Sequence, residues 1–122
     1  YNQYRTPLEA EDGARIISEL LKKNISNEII NFGGPERISR YAMGELVCDI
    51  FGFDKTNLVK TDGKEMLKDI FVEDVSMETS KLQSYGIMQK SIKEVVTEIF
   101  NKIKKARLES TMEFEEESEP DF

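Results

Sequence analysis

Three arginines, Arg5, Arg37 and Arg40, and a double glycine, Gly33-Gly34, are the parts of this chain most able to do chemistry. A guanidinium presents a planar fork of donors that can grip a phosphate or diphosphate bidentately. Arg5 stands just ahead of an apolar-periodic segment, so it is either an anion ligand facing a cleft or a surface arginine before a helix. Arg37 and Arg40 flank the start of a second helix. Either could meet an anion there, although solvated or ion-paired arginines are the commoner outcome. Gly33-Gly34 could let backbone approach a ligand closely, and it could equally be a plain turn after a strand. Groups for bond making are missing or misplaced. The chain has no His, which excludes a Ser-His or Cys-His pair within it. Cys48, next to an apolar stripe and without a base, reads as a small half-buried thiol. Glu11 and Asp12 are neighbours on a helix and point in different directions, which argues against a carboxylate dyad. Lys81 reads as an exposed helix residue. No catalytic residue is assigned.

Composition narrows the partners. The net charge of −7 sits at one end: residues 109–122 hold seven of the 24 acids and none of the 17 bases, so residues 1–108 are neutral. A neutral body has no basic surplus with which to release counterions from nucleic acid. The acidic end, 109–122, is expected to be a disordered tail, with a protein-docking role as the alternative to plain solvation. One cysteine and no histidine argue against a zinc site of the usual kind, and the single thiol fits a reducing, cytoplasmic compartment. No run approaches the ~18 apolar residues of a membrane span. The polar start, Tyr1-Asn-Gln-Tyr-Arg5, is not a signal peptide and has no initiator Met, so the chain is read as a fragment.

The elements that must position these groups follow from periodicity and punctuation. Leu8, Ala14, Ile17, Leu20 and Leu21 recur at helical spacing and predict a helix over 8–23 with that stripe buried. Glu28–Phe32 is a strand candidate ended by Gly33-Gly34-Pro35. Ser39 is the expected N-cap of a helix over 40–51, with Met43, Leu46, Val47, Ile50 and Phe51 inward and Gly52 closing it. Leu58–Lys60 and Val75–Met77 are short-strand candidates, with a loop and one helical turn between them. Thr79–Tyr85 reads as a short helix ended by Gly86. Ser91-Ile-Lys-Glu94 is a capping box opening the longest helix, to about Ala106, with Ile92, Val95, Val96, Ile99, Phe100 and Ile103 inward.

Three segments carry a family resemblance, in order. They are Tyr4-Arg-Thr-Pro-Leu-Glu-Ala-Glu-Asp12 with Ala14–Ile17, then Asn31-Phe-Gly-Gly-Pro-Glu-Arg-Ile-Ser-Arg-Tyr41 with its helix to Gly52, then Asp74-Val-Ser-Met-Glu-Thr-Ser-Lys-Leu82 with Tyr85-Gly86. Together they resemble the carboxyl-terminal, substrate-binding part of an extended short-chain dehydrogenase/reductase of the dTDP-4-dehydrorhamnose reductase kind. The resemblance implies a small α/β unit: three main helices and a few short strands completing a Rossmann-type enzyme, with the dinucleotide-binding half absent. It implies residues 1–108 as the substrate-binding region, and Arg5, Gly33 and Gly34 as substrate-binding residues, with Arg5 on the diphosphate of a nucleotide-activated sugar. Its spacing of seven residues before Asp12 matches relatives in which an arginine does this.

Two family features are missing. There is no Gly-rich dinucleotide loop, and the tyrosines are followed four residues later by Arg5, Leu8, Glu45 and Gln89, never by the Lys of a Tyr-x-x-x-Lys pair. A dinucleotide pyrophosphate needs such a loop at a helix N-terminus. NAD(P) is therefore expected in an intact parent, bound by its missing Rossmann half, and not by this chain alone. Many relatives also carry Arg-Pro where this chain has Phe71-Val72. The resemblance thus implies the substrate portion of an NAD(P)-dependent reductase or epimerase. The alternatives are a non-catalytic regulatory subunit, like the beta subunit of methionine adenosyltransferase, and a truncated fragment.

Overall fold

A computed structural model describes residues 1–118, with side-chain surroundings through Phe114. In chain order the elements are β1 (Tyr4–Arg5), α1 (Ala10–Lys22), β2 (Ile38–Ser39), α2 (Arg40–Phe51), α3 (Gly63–Leu67), α4 (Ser80–Ser84) and α5 (Ile92–Ser118). Single 3-10 turns lie at Lys55–Asn57 and Lys68–Ile70. The fold is thus mixed α/β, with five α-helices and one two-stranded sheet among the described residues.

Local chemistry sets most helix ends. The Glu9 carboxylate accepts from Asp12 N–H to start α1, and Glu11 and Asp12 lie in its first turn, where the dipole favours anions. Ser39 accepts from Ala42 N–H at the start of α2, and Gly52 closes it at φ 72°, a left-handed position suited to a residue without Cβ. Gly86 follows α4 at φ 77°. Ser91 Oγ accepts from Glu94 N–H, while the Glu36 carboxylate, from far along the chain, accepts from Ile92 N–H. Two of the four orphan donors at the start of α5 are thereby satisfied.

The sheet is small but central. β1 and β2 run antiparallel, with Tyr4 opposite Ser39 and Arg5 opposite Ile38. On the other side of Tyr4, its N–H donates to Glu73 O and its carbonyl accepts from Val75 N–H, forming a parallel bridge to Asp74. Three remote segments therefore meet at two residues. The core lies behind them: Ile16, Leu82 and Ile87 are fully buried, with Leu8, Leu20, Ile30, Phe32 and Tyr85 packed on them.

Several expectations are corrected. Glu28–Phe32 is not a strand: its backbone joins no sheet, and it crosses beside α4, where Lys81 Nζ donates to Glu28 and to the Ile29 carbonyl. Leu58–Lys60 and Val75–Met77 form no strand; the one pairing nearby is the bridge of Asp74 to Tyr4. The buried face of α1 is Asp12, Gly13, Ile16 and Leu20, whereas Ala14, Ile17 and Leu21 are exposed. The rotation has a cause. Asp12 points inward because it is fully paired, its carboxylate accepting from Arg15 Nε at 2.8 Å and from Lys90 N–H at 3.1 Å. A helix end expected near Ala106 is not there, since α5 continues to Ser118. Residues 109–118, expected to lack regular structure, are helical, and residues 119–122 of that tail lie outside the described residues.

Candidate functional site

A cleft of about 460 Å³ opens at the β1 junction. One wall is Arg5 and Thr6, a second is Phe32 and Gly33, a third is the β2 to α2 passage from Ile38 through Arg40 to Met43, and Val75 and Met77 close the fourth. All three segments that carry the family resemblance border it. The floor is apolar: Leu8, Phe32, Ile38, Met43 and Met77.

Two cations line this cleft, and Arg40 also borders a neighbouring cavity of about 310 Å³ beside Tyr1, Tyr41 and Leu58. Arg5 is half-buried, and its Nη1 donates to the neighbouring Tyr4 carbonyl at 2.8 Å, which anchors the base of the fork. Arg40 is the first residue of α2, its N–H tied to Gln3 O at 3.1 Å and its side chain exposed. Among the described residues neither makes a salt bridge. The positive end of the α2 dipole opens on the same space. The titratable side chains lining the cleft are these two arginines, and the hydroxyls are already engaged: Ser39 Oγ accepts from Ala42 N–H and Thr6 Oγ1 from Met77 N–H. Such a lining can hold an anion with an apolar body.

Arg37 is committed elsewhere. Its Nε donates to Asp74 Oδ2 at 2.8 Å, and its guanidinium lies over the Tyr4 ring at 3.7 Å. Asp74 in turn is held to a pKa of about 2, first by hydrogen bonds from the Ser76 side chain and backbone, then by Arg37. Together they lock the β1 junction.

The double glycine has a structural reason. A Cβ on Gly33 would come within 2.5 Å of Thr6 Oγ1 and 2.7 Å of Thr6 O, and one on Gly34 would fall on the Pro7 carbonyl. Gly34 N–H donates to Thr6 O at 2.9 Å, and the Gly33 carbonyl accepts from the buried Gln89 side chain at 3.1 Å. The close approach these glycines permit is to residues 6–7 of the same chain. Gly33 still borders the cleft; Gly34 lies behind it.

Asp12, the acidic end of the Arg5 spacing, is buried and joins α1 to the segment before α5, away from the cleft. Glu11 pairs with Lys102 at 2.7 Å, which lowers its pKa, so the two carboxylates diverge as adjacent helical positions should. Lys81 is exposed and paired with Glu28, and Cys48 is half-buried. Phe71 packs against Gly63, whose missing Cβ would sit 2.8 Å from its ring. Sequence reasoning overlooked Thr6 and Met77 as cleft residues. Their signal was membership of the first and third resembling segments.

Among the described residues no cluster of three His, Cys, Asp or Glu could hold a metal ion, and no helix is long and apolar enough to cross a membrane. Comparison with protein-family models, with curated proteins and with solved structures finds no match.

Proposed function

We propose that this chain is the substrate-binding portion of an NAD(P)-dependent reductase or epimerase of the dTDP-4-dehydrorhamnose reductase kind. The cleft at Arg5 then receives a nucleotide-activated sugar, with Arg5 and Arg40 on the diphosphate. The observation that carries this reading is the pair of arginines, free of salt bridges among the described residues, on the wall of an apolar-floored cleft. A diphosphate supplies the charge they lack, and the apolar floor suits the face of a base or sugar ring.

The residues present do not fit a dinucleotide. The Gly33-Gly34 turn has its open faces against Thr6 and Pro7, leaving no cradle for a pyrophosphate, and it leads to β2 and not directly into a helix. Any NAD(P) belongs to a Rossmann half outside this chain, and hydride chemistry with it.

A non-catalytic subunit of the same family is the second reading. Phe71 favours it, because an aromatic ring packed on Gly63 replaces a phosphate-binding arginine of relatives. Titration of a nucleotide-diphospho-sugar into the full-length parent decides between the two. Arg5→Ala should weaken binding about ten- to a hundredfold, as expected for one charge-assisted contact of roughly 1.5–3 kcal/mol. Affinity unchanged in Arg5→Ala, with the circular dichroism spectrum intact, would reject the substrate role and leave the regulatory reading.

A further inference from the structure

The neighbouring cavity, of about 310 Å³, shares Arg40 with the cleft. It falls within the roughly 300–1,000 Å³ of small-molecule sites. Tyr1, Tyr41, Leu58, Met66 and Leu67 wall it, and no acidic side chain lines it. Lys60 Nζ lies 5.0 Å from the Tyr1 ring centroid and 5.9 Å from that of Tyr41. Neither Lys60 nor Arg40 has a salt-bridge partner among the described residues. Aromatic walls and uncompensated positive charge therefore meet here.

Gln3 is the member of this lining that calls for a ligand. It is only 9% exposed. Its carbonyl accepts from Arg40 N–H at 3.1 Å, but its side-chain amide pairs with no described residue. Among the described residues no sealed side-chain nitrogen or oxygen lacks a partner, so the amide is not shut in the core; it opens on the cavity. Its stem is held from behind. Asn2 Oδ1 accepts from Gly63 N–H at 2.9 Å, and Asn2 Nδ2 donates to Asp62 Oδ1 at 2.9 Å. Gly63 lacks the Cβ that would stand 3.1 Å from Gln3 Cγ. A fixed amide presents a donor beside an acceptor, and a planar edge with the complementary pair satisfies both. Every nucleobase carries such an edge, and its ring suits aromatic and apolar walls.

We propose that this cavity takes the base of a nucleoside diphosphate, with the Gln3 amide on its hydrogen-bonding edge. Arg40, bordering both spaces, then bonds the diphosphate as it passes into the cleft toward Arg5. The inference rests on the nucleotide-sugar reading of the cleft and divides that ligand: base beside Gln3, phosphates on Arg40 and Arg5, sugar on the apolar floor.

Titration of the full-length parent with the diphosphates of adenosine, guanosine, cytidine, uridine and thymidine, and with inorganic pyrophosphate, tests the assignment. At least one nucleoside diphosphate should bind more tightly than pyrophosphate. Gln3→Met, which keeps the side-chain length and removes the amide, should weaken that nucleotide about tenfold and leave pyrophosphate affinity unchanged. Arg40→Ala should weaken both. In the wild-type complex, nuclear Overhauser effects should join the base protons to the Tyr41 ring. Nucleoside diphosphates that bind no better than pyrophosphate, a silent Gln3→Met, a loss shared with pyrophosphate, or base protons remote from Tyr41 would overturn the proposal. Nucleotide-sugar binding that needs Arg5 but ignores Gln3→Met would uphold the reading of the cleft and overturn the base assignment. Nucleoside diphosphate binding that needs Gln3 but ignores Arg5→Ala would do the reverse.

Discussion

β1 is two residues long and is held on both sides, whereas α5 is 27 residues long and exposes every residue from Asn101 through Phe114. At β1, backbone hydrogen bonds to β2 and to Glu73–Val75, the Arg37–Asp74 pair, the Tyr4 ring and the Gly33-Gly34 approach all converge. Along the distal half of α5, regular structure comes from helix-forming residues and hydrogen bonds within four positions. The difference teaches that length of regular structure and tertiary constraint are separate quantities. The cleft needs the second, because the position of Arg5 depends on segments more than thirty residues away. The distal half of α5 has the first without the second.

The largest effect should come from crowding the constrained region. Gly34→Ala would drive a methyl into the Pro7 carbonyl and force residues 6–7 from the double glycine, at a cost of about 3 kcal/mol, read as a lowered urea midpoint. Equal stability of Gly34→Ala and wild type would mean that the junction is looser than described. Next is Asp12→Ala, which strands Lys90 N–H and leaves Arg15 with Glu19 and the Met88 carbonyl as its partners. It should cost about 2 kcal/mol in the same measurement, while the nucleotide-sugar binding proposed above stays unchanged in the folded fraction.

A smaller effect should be present at neutral pH and vanish in acid. The folded pKa of Asp74 lies at about 2, below its ordinary value of 3.8, so the unfolded chain takes up this proton first as pH falls. Its contribution is fully present above pH values near 3.8 and disappears as pH falls through about 2. Asp74→Asn should therefore be less stable than wild type at neutral pH, and the gap should close across that window. A gap that is constant with pH would sever Asp74 from the junction. The smallest effect is expected at the unconstrained end. Truncation after Leu108 should leave the thermal midpoint within a degree or so while reducing the helical circular dichroism signal. A drop of several degrees would show that the distal helix packs on the body.

Legibility in the sequence followed the range of the interaction. The spans of α1 and α2, the Ser39 and Ser91 caps and the closures at Gly52 and Gly86 were readable because a cap or a left-handed glycine acts within about four residues. The two strands were not, since each is only two residues long and owes its pairing to partners more than thirty positions away. The inward face of α1 was misread for a related reason. Asp12 is buried only because Arg15 and Lys90 N–H satisfy it, and the Lys90 contact is invisible to periodicity. At the cleft, Arg5 and Gly33 were legible as candidates, but not that Gly34 serves the chain, or that Arg40 shares the wall while Arg37 is spent on Asp74.

By itself, then, the sequence determined the spans of α1 and α2, the Ser39 and Ser91 caps, the closures at Gly52 and Gly86, and the split between a neutral body and an acidic end. These depend on residue type and on neighbours a few positions away. Only the tertiary structure decided which extended segments pair, which face of α1 turns inward, and which arginine is taken up by an ion pair. Each of those outcomes depends on whether a remote partner satisfies a buried polar group, and no local pattern encodes that partner.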